Sequence, residues 1–181
     1  MSLAPALLLS MPQLIDPNFA RTVVLLCEHA PEGAFGLVVN RPSEISAAEA
    51  VSLEPPIETP NDLQLLIGGP VEPHRGWILT ATPPADVEHR ELGAGLFLSA
   101  SPVLLRRSLM ARPNPKRTVV LAGYAGWGPG QLDQELEQSS WLIMPVELDL
   151  IFEIPPQASW EMAIRRLGAD PSLLHASQGI H

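Results

Sequence analysis

Two runs of β-branched and aliphatic residues flank four turn-forming positions: TVVLLCEH from Thr22 to His29, then Ala30-Pro31-Glu32-Gly33, then AFGLVVN from Ala34 to Asn40. Runs of this kind form a β-hairpin. Neither alternates apolar with polar, so the hairpin must be buried on both faces or lie in the middle of a sheet. Arg41-Pro42 ends the second strand, because proline has no N–H for the ladder. A four-residue connection pairs His29 with Ala34 and, stepping outward, Val23 with Asn40 and Thr22 with Arg41. Glu28-His29 and Asn40-Arg41 therefore serve two separate places. The Asn40-Arg41 end is expected to lie nearer a pocket, since arginine and amide donors favour anionic groups.

Proline and glycine divide the remainder, with 20 prolines in 181 residues. Ser46 followed by Glu49 is a capping box, predicting a helix from Ala47 to about Leu53, before Pro55. Leu63 to Ile67 and Gly76 to Thr80 read as strands on either side of a GGPV turn, Gly68 to Val71, and Gly95 to Leu98 as another. Ser101 before Pro102 gives an N-cap and a first-turn proline, opening a helix that Pro113 closes. Thr118 to Ala122 is a short buried strand. The glycine-rich GYAGWGPGQL, Gly123 to Leu132, then leads through Pro129 into a helix carrying Leu132 and Leu136. Trp141 to Met144 is a strand. Val146 to Phe152 alternates as a strand does but also permits a short helix. Trp160, Ile164 and Leu167 recur at helical spacing with Gly168 as the cap, Asp170-Pro171 starts a last helical turn, and the tail from Ser177 is expected to fray.

Composition narrows the function classes. Apolar residues make up 46% and charged residues 17%, far from a disordered chain, and no linker splits the sequence, so residues 1–181 read as one domain. The apolar opening, Leu3 to Pro12, has no basic residue before it, which argues against a signal peptide, and no apolar run reaches the roughly 20 residues of a membrane helix. One cysteine, Cys27, excludes an internal disulfide and suits a reducing compartment, so a cytoplasmic location is expected. The net charge of −9 opposes nucleic-acid backbones. A local exception is Arg106, Arg107, Arg112, Lys116 and Arg117, which have no acid among them and read as a solvated, exposed face.

Three constellations could carry chemistry. Cys27 and His29 are two apart in an extended segment, hence on one face; as an enzyme site they would be nucleophile and base, and otherwise a buried thiol with a histidine at the strand end. GYAGWGPG between a strand and a helix is either an anion-binding loop or a tight turn in which small residues let the backbone pass close to a neighbour. Asp133, Glu135 and Glu137 follow it and would repel a phosphate. The five histidines are scattered without metal-ligand spacing, so no metal and no cofactor are expected.

Taken in order, LLLSMPQLIDPNFARTVVLLCEH, GAFGLVVNRP, GGPV and GYAGWGPGQLDQEL with Trp141 shortly after resemble the AlgH/YqgE family from about residue 7 to residue 174. The resemblance implies an α+β fold whose mostly antiparallel sheet curls into a pseudo-barrel flanked by helices. It also implies the family's label of transcriptional regulator, with no active site to carry over. The function expected first is a non-enzymatic binding or regulatory module for a protein or small molecule. It would act through the turns at Asn40, Arg41, Gly68, Gly69, Tyr124 and Trp127, where scaffolds display function. A DNA-linked regulator resting on the basic cluster, and a hydrolase or transferase using Cys27 or His29, are the alternatives. A homo-oligomer is compatible with the sequence.

Overall fold

The protein is seen in a computed structural model that describes residues 2–11 and 19–173; the tail expected to fray lies outside them. In chain order the elements are β1 (Ala6–Ser10), β2 (Val23–Ala30), β3 (Gly33–Val38), β4 (Pro42–Ser46), α1 (Ala47–Ala50), β5 (Gln64–Ile67), β6 (Val71–Thr80), β7 (Arg90–Gly93), β8 (Leu96–Ser99), α2 (Pro102–Met110), β9 (Thr118–Trp127), α3 (Gln131–Glu137), β10 (Trp141–Met144), α4 (Leu148–Phe152) and α5 (Pro156–Arg166). The strands run β10-β1-β2-β3-β9-β6-β8-β7, and β5 lies parallel to β9 and carries β4 on its other side. All other pairings are antiparallel, so the fold is α+β with a curled, half-barrel sheet, as expected.

The central hairpin forms as its sequence dictates, with one irregularity that relocates several side chains. His29 pairs with Ala34 as read, and the strands meet at Ala30 and Gly33. Between Leu26 and Glu28 the register shifts by one, because Cys27 is the extra residue of a β-bulge. Past the bulge Val24 faces Val38, and the Val39 N–H bonds to the Val23 carbonyl at 3.0 Å. The expected pairing of Val23 with Asn40 is therefore corrected by one residue. The bulge also undoes the expected common face of Cys27 and His29. Cys27 packs with Leu25 and Leu37, whereas the His29 ring bonds to Asp133 on α3, which covers the other side.

The sheet is buried on both faces, which explains the unbroken apolar runs. On one face Leu7, Leu9, Leu25, Leu37 and Leu121 meet Leu150, Ile151, Trp160 and Ile164 from α4 and α5. On the other, Leu8, Val24, Leu26 and Val38 meet Leu132 of α3 together with Trp127 and Trp141. A third cluster, Ala47, Leu63, Leu65, Leu109 and Val120, seats α1 and α2. The α1 capping box forms as read, with the Ser46 hydroxyl and the Glu49 carboxylate bonding reciprocally, but the helix ends at Ala50. Ser101 caps α2 through the N–H groups of Val103 and Leu104. The ambiguous stretch before Phe152 is helical, as α4.

Around α3 one carboxylate ties two elements together. Glu135 Oε1 accepts the indole N–H of Trp127 at 2.9 Å and that of Trp141 at 2.8 Å, and its Oε2 accepts from Gln131 at 3.0 Å. The two indoles touch edge to face at 6.0 Å. Glu135→Leu would strand both buried donors, each costing about 1–3 kcal/mol. Urea unfolding is expected to show a loss of about 2–4 kcal/mol as a lower midpoint at unchanged slope. Glu135→Gln keeps an acceptor oxygen and is expected to cost about 1 kcal/mol. Equal losses in the two variants would refute the role given to this carboxylate.

Candidate functional site

The register of β9 assembles three rings from three strands. Phe35 of β3 lies opposite Gly126 of β9, and Trp77 of β6 lies opposite Leu121, with Tyr124 between them on β9 itself. Phe35 approaches Tyr124 to 5.1 Å and Trp77 to 5.3 Å between ring centroids, and Trp77 meets Tyr124 edge-on at 6.3 Å. Between Val71 and Gly76 the β6 register is irregular and the chain is exposed, bringing Glu72 and Arg75 to the rim. The Arg75 guanidinium stands 4.4 Å above the Trp77 ring. The bulge turns Glu28 to the same side, where it pairs with Arg90 of β7. All of these side chains except Glu72, with Leu98, Ser99 and Ala100, line a cleft of about 310 Å³. A neighbouring hollow of about 420 Å³ shares Arg90 and Ser99 and adds His89.

Gly68 and Gly69 form the floor beneath Tyr124. The Gly68 N–H donates to the Ala122 carbonyl at 2.7 Å, and its own carbonyl accepts from Val38 at 2.8 Å. A Cβ on Gly69, which has φ +150°, would fall 2.2 Å from the Tyr124 carbonyl carbon. A Cβ on Gly123 would fall 2.4 Å from the Gly69 oxygen. Both glycines of GGPV are buried. Gly123 to Trp127 is strand rather than loop, a correction to the sequence reading; the glycines serve close backbone approach, one of the two alternatives read for that motif.

Of the residues singled out from sequence, Tyr124 lines the cleft and Gly68-Gly69 support it. Trp127 is buried on the opposite face with Glu135. Asn40 closes the far end of the hairpin: its Oδ1 accepts from Val23 N at 2.9 Å and its Nδ2 donates to the Arg21 carbonyl at 3.0 Å, standing in for missing ladder bonds. Arg41 donates to the Ala20 carbonyl at 3.0 Å and to the Thr22 hydroxyl at 3.2 Å. The cleft is lined by Glu28 and Phe35, at the turn half of the hairpin, and not by Asn40 or Arg41; the expectation that their end lies nearer the pocket is reversed. Cys27 is 4% exposed, and burial pushes its thiol up to about 12. His29 Nε2 lies 2.9 Å from Asp133, and its Nδ1 accepts from the Leu3 N–H at 3.1 Å, which makes Nε2 the protonated nitrogen of the neutral ring. Cys27 and His29 therefore face different sides and form no nucleophile and base pair.

The basic cluster is exposed except for half-buried Arg106, but its guanidiniums are engaged. Arg106 donates to the Pro55 carbonyl, Arg107 to that of Ala85 and Arg112 to that of Thr59, while Arg117 pairs with Glu153 at 2.7 Å. Among the described residues no three His, Cys, Asp or Glu side chains converge as a metal site, and no helix is long and apolar enough to cross a membrane.

Sequence reasoning missed Phe35, Arg75, Trp77 and Arg90 as site residues. Two properties mark the cleft. Tyr124 donates to Glu72 at 2.8 Å, and that bond raises its phenol above the ordinary range. The Trp77 Nε1 is the buried side-chain nitrogen that has no hydrogen-bond partner among the described residues.

A family model described as AlgH-like matches residues 7–172. A UPF0301 protein of Anaeromyxobacter dehalogenans is 42% identical over 179 residues, covering 94% of this chain and 90% of its own. A UPF0301 protein of Stenotrophomonas maltophilia is 40% identical over 173 residues, with 93% and 91% covered. The solution structure of the AlgH protein from Pseudomonas aeruginosa matches with a TM-score of 0.79 at 37% identity, over 100% of this chain and 96% of that one. Protein DIP2367 from Corynebacterium diphtheriae shares the fold, with a TM-score of 0.67 at 22% identity over 90% of this chain and 85% of its own.

Two titrations check this geometry. Tyr124 is the sole tyrosine, so tyrosinate absorbance reports it alone: its midpoint is expected above 10 in the native protein and should fall in Glu72→Ala. An unchanged midpoint would remove Glu72 from the rim. The Cys27 thiol is expected to resist iodoacetamide at pH 8 until the protein is unfolded, about 8.5 being the ordinary thiol value. Alkylation of the native protein at the rate of a free thiol would contradict its burial.

Proposed function

We propose that this chain, which belongs to the AlgH-like family, is a non-enzymatic binding module of the cytoplasm that takes a small molecule in the cleft between Phe35, Trp77, Tyr124, Arg75 and Arg90. The observation that carries this reading is the wall of the cleft: three rings converge there beside a buried indole N–H that has no acceptor among the described residues. A concave, mostly apolar site with a few convergent polar groups is the usual form of a small-ligand pocket. About 310 Å³ suits a compact metabolite better than a folded partner.

Against an enzyme stands the engagement of the groups that could do chemistry. Glu28 is paired with Arg90, the Tyr124 hydroxyl donates to Glu72, and the Ser99 hydroxyl donates to the Glu88 carbonyl at 2.7 Å. Neither Glu28 nor Ser99 belongs to a nucleophile and base pair, and the bond to Glu72 raises the Tyr124 phenol where an activated nucleophile would be lowered. A direct DNA contact is disfavoured by the net charge of −9 and by Arg106, Arg107, Arg112 and Arg117 being tied to the chain's own carbonyls and to Glu153. A regulatory role would then act through ligand occupancy.

A thermal-shift screen of metabolites tests the reading. At a concentration a hundredfold above Kd a ligand adds about 2.7 kcal/mol. For a chain of this size that is a rise of roughly 5–10 °C in Tm. The rise is expected to shrink to a third or less in Phe35→Ala, and stabilisers indifferent to Phe35→Ala, or none at all across a broad library, would refute the assignment.

A further inference from the structure

We infer that the occupant of the cleft is a planar aromatic carboxylate, its ring against Phe35, Trp77 and Tyr124 and its single negative charge on Arg75. This rests on the reading of the cleft as a binding place and adds the chemistry of what binds. The hydrogen-bond inventory of the walls sets the sign of the ligand. Arg90 is already neutralised by Glu28, and Glu72 already accepts from Tyr124. Arg75 is held over the Trp77 ring, and none of its donors is engaged in a hydrogen bond or ion pair among the described residues. The Trp77 Nε1, shielded inside the same wall, has no acceptor among the described residues. An exposed guanidinium with unengaged donors on an aromatic wall calls for a ligand that brings a negatively charged acceptor.

Three competing chemistries fit less well. An ammonium ligand would find aromatic faces, but Glu28 and Glu72 are engaged and Arg75 would repel it. A phosphate carries up to two charges, which one unpaired guanidinium does not balance, and it would face both carboxylates at the rim. A neutral ring would gain nothing from the charge of the exposed Arg75. A carboxylate carries one charge and presents two oxygens that match the parallel N–H groups of a guanidinium. The volume, about 310 Å³, is at the lower limit of ligand pockets and suits one or two fused rings. The wall rings already meet at tilted and edge-on angles, the geometry in which a further ring packs favourably.

The test uses the full chain labelled with nitrogen-15, whose four tryptophans give four indole N–H signals, Trp77 being assigned by its loss in Trp77→Phe. The probes are 2-naphthoate, 2-naphthamide, 2-naphthylmethylamine and phenyl phosphate. Naphthoate is expected to move the Trp77 signal saturably and to bind at least about tenfold tighter than the other three. Arg75→Gln, a change at an exposed position, should bring naphthoate to the level of the amide and leave the amide within about twofold. Equal binding of amide, amine or phosphate at Trp77, or no effect of Arg75→Gln, overturns the carboxylate assignment while the cleft stands as a binding place. A Trp77 signal that no probe moves also overturns it; whether the cleft itself then fails is decided separately by the sensitivity of thermal-shift stabilisers to Phe35→Ala.

Discussion

Strand β9 has partners on both edges, and this is sterically allowed because three backbones cross without side chains between them. β5 and β3 share one edge of β9 in succession, β5 at Val120 to Ala122 and β3 at Ala125 to Trp127, and β6 holds the other. Gly68 is the junction, bonding at once to Ala122 of β9 and Val38 of β3. Gly69 and Gly123 then pass so close that a Cβ on either would come within 2.4 Å of the opposing backbone. GGPV and GYAGW, far apart in the chain, are thus the two halves of one contact. Without it the half-barrel would have no seam between its two groups of strands.

The cleft depends on that seam. Tyr124 follows Gly123 directly, and its ring meets Phe35 and Trp77 because β3 and β6 are held on either side of the same strand. The bulge at Cys27 completes the rim by turning Glu28 toward Arg90, while Cys27 itself stays in the core. An unpartnered buried N–H costs about 1–3 kcal/mol. Among the described residues Trp77 keeps one, beside an arginine stacked on its ring, a local imperfection of the kind that marks functional sites.

Elements with their own local chemistry were legible in the sequence: the reciprocal cap of Ser46 and Glu49, the Ser101-Pro102 start of α2 and the β2–β3 hairpin all formed where their residues demanded. What escaped depends on partners remote in the chain. β1, β4 and β7 were not read as strands, since prolines and short length hide them until their neighbours are known. One inserted residue at Cys27 leaves no mark on an apolar run, yet it changed which side chains share a face. The basic run looked like a solvated surface, whereas its arginines hold loops by their carbonyls. Of the candidate site, Tyr124 and the glycines beneath it were visible as a motif. Phe35 and Trp77 were not, because only the β9 register brings them together, and Arg90 reaches them through the β7–β8 pairing.

The position of β1 has a consequence for biosynthesis. Its five residues, all buried, lie between β2 and β10, so its second neighbour is Trp141–Met144 near the other end of the chain. At about 5–20 residues per second, a ribosome takes roughly 7–30 s to reach that neighbour after making β1. During that interval an apolar edge faces solvent with no strand to cover it, which is the condition under which nascent chains aggregate or recruit chaperones. Closure of the sheet is therefore a late event that joins the earliest and latest strands, and a chain that stops short of β10 leaves its oldest strand exposed.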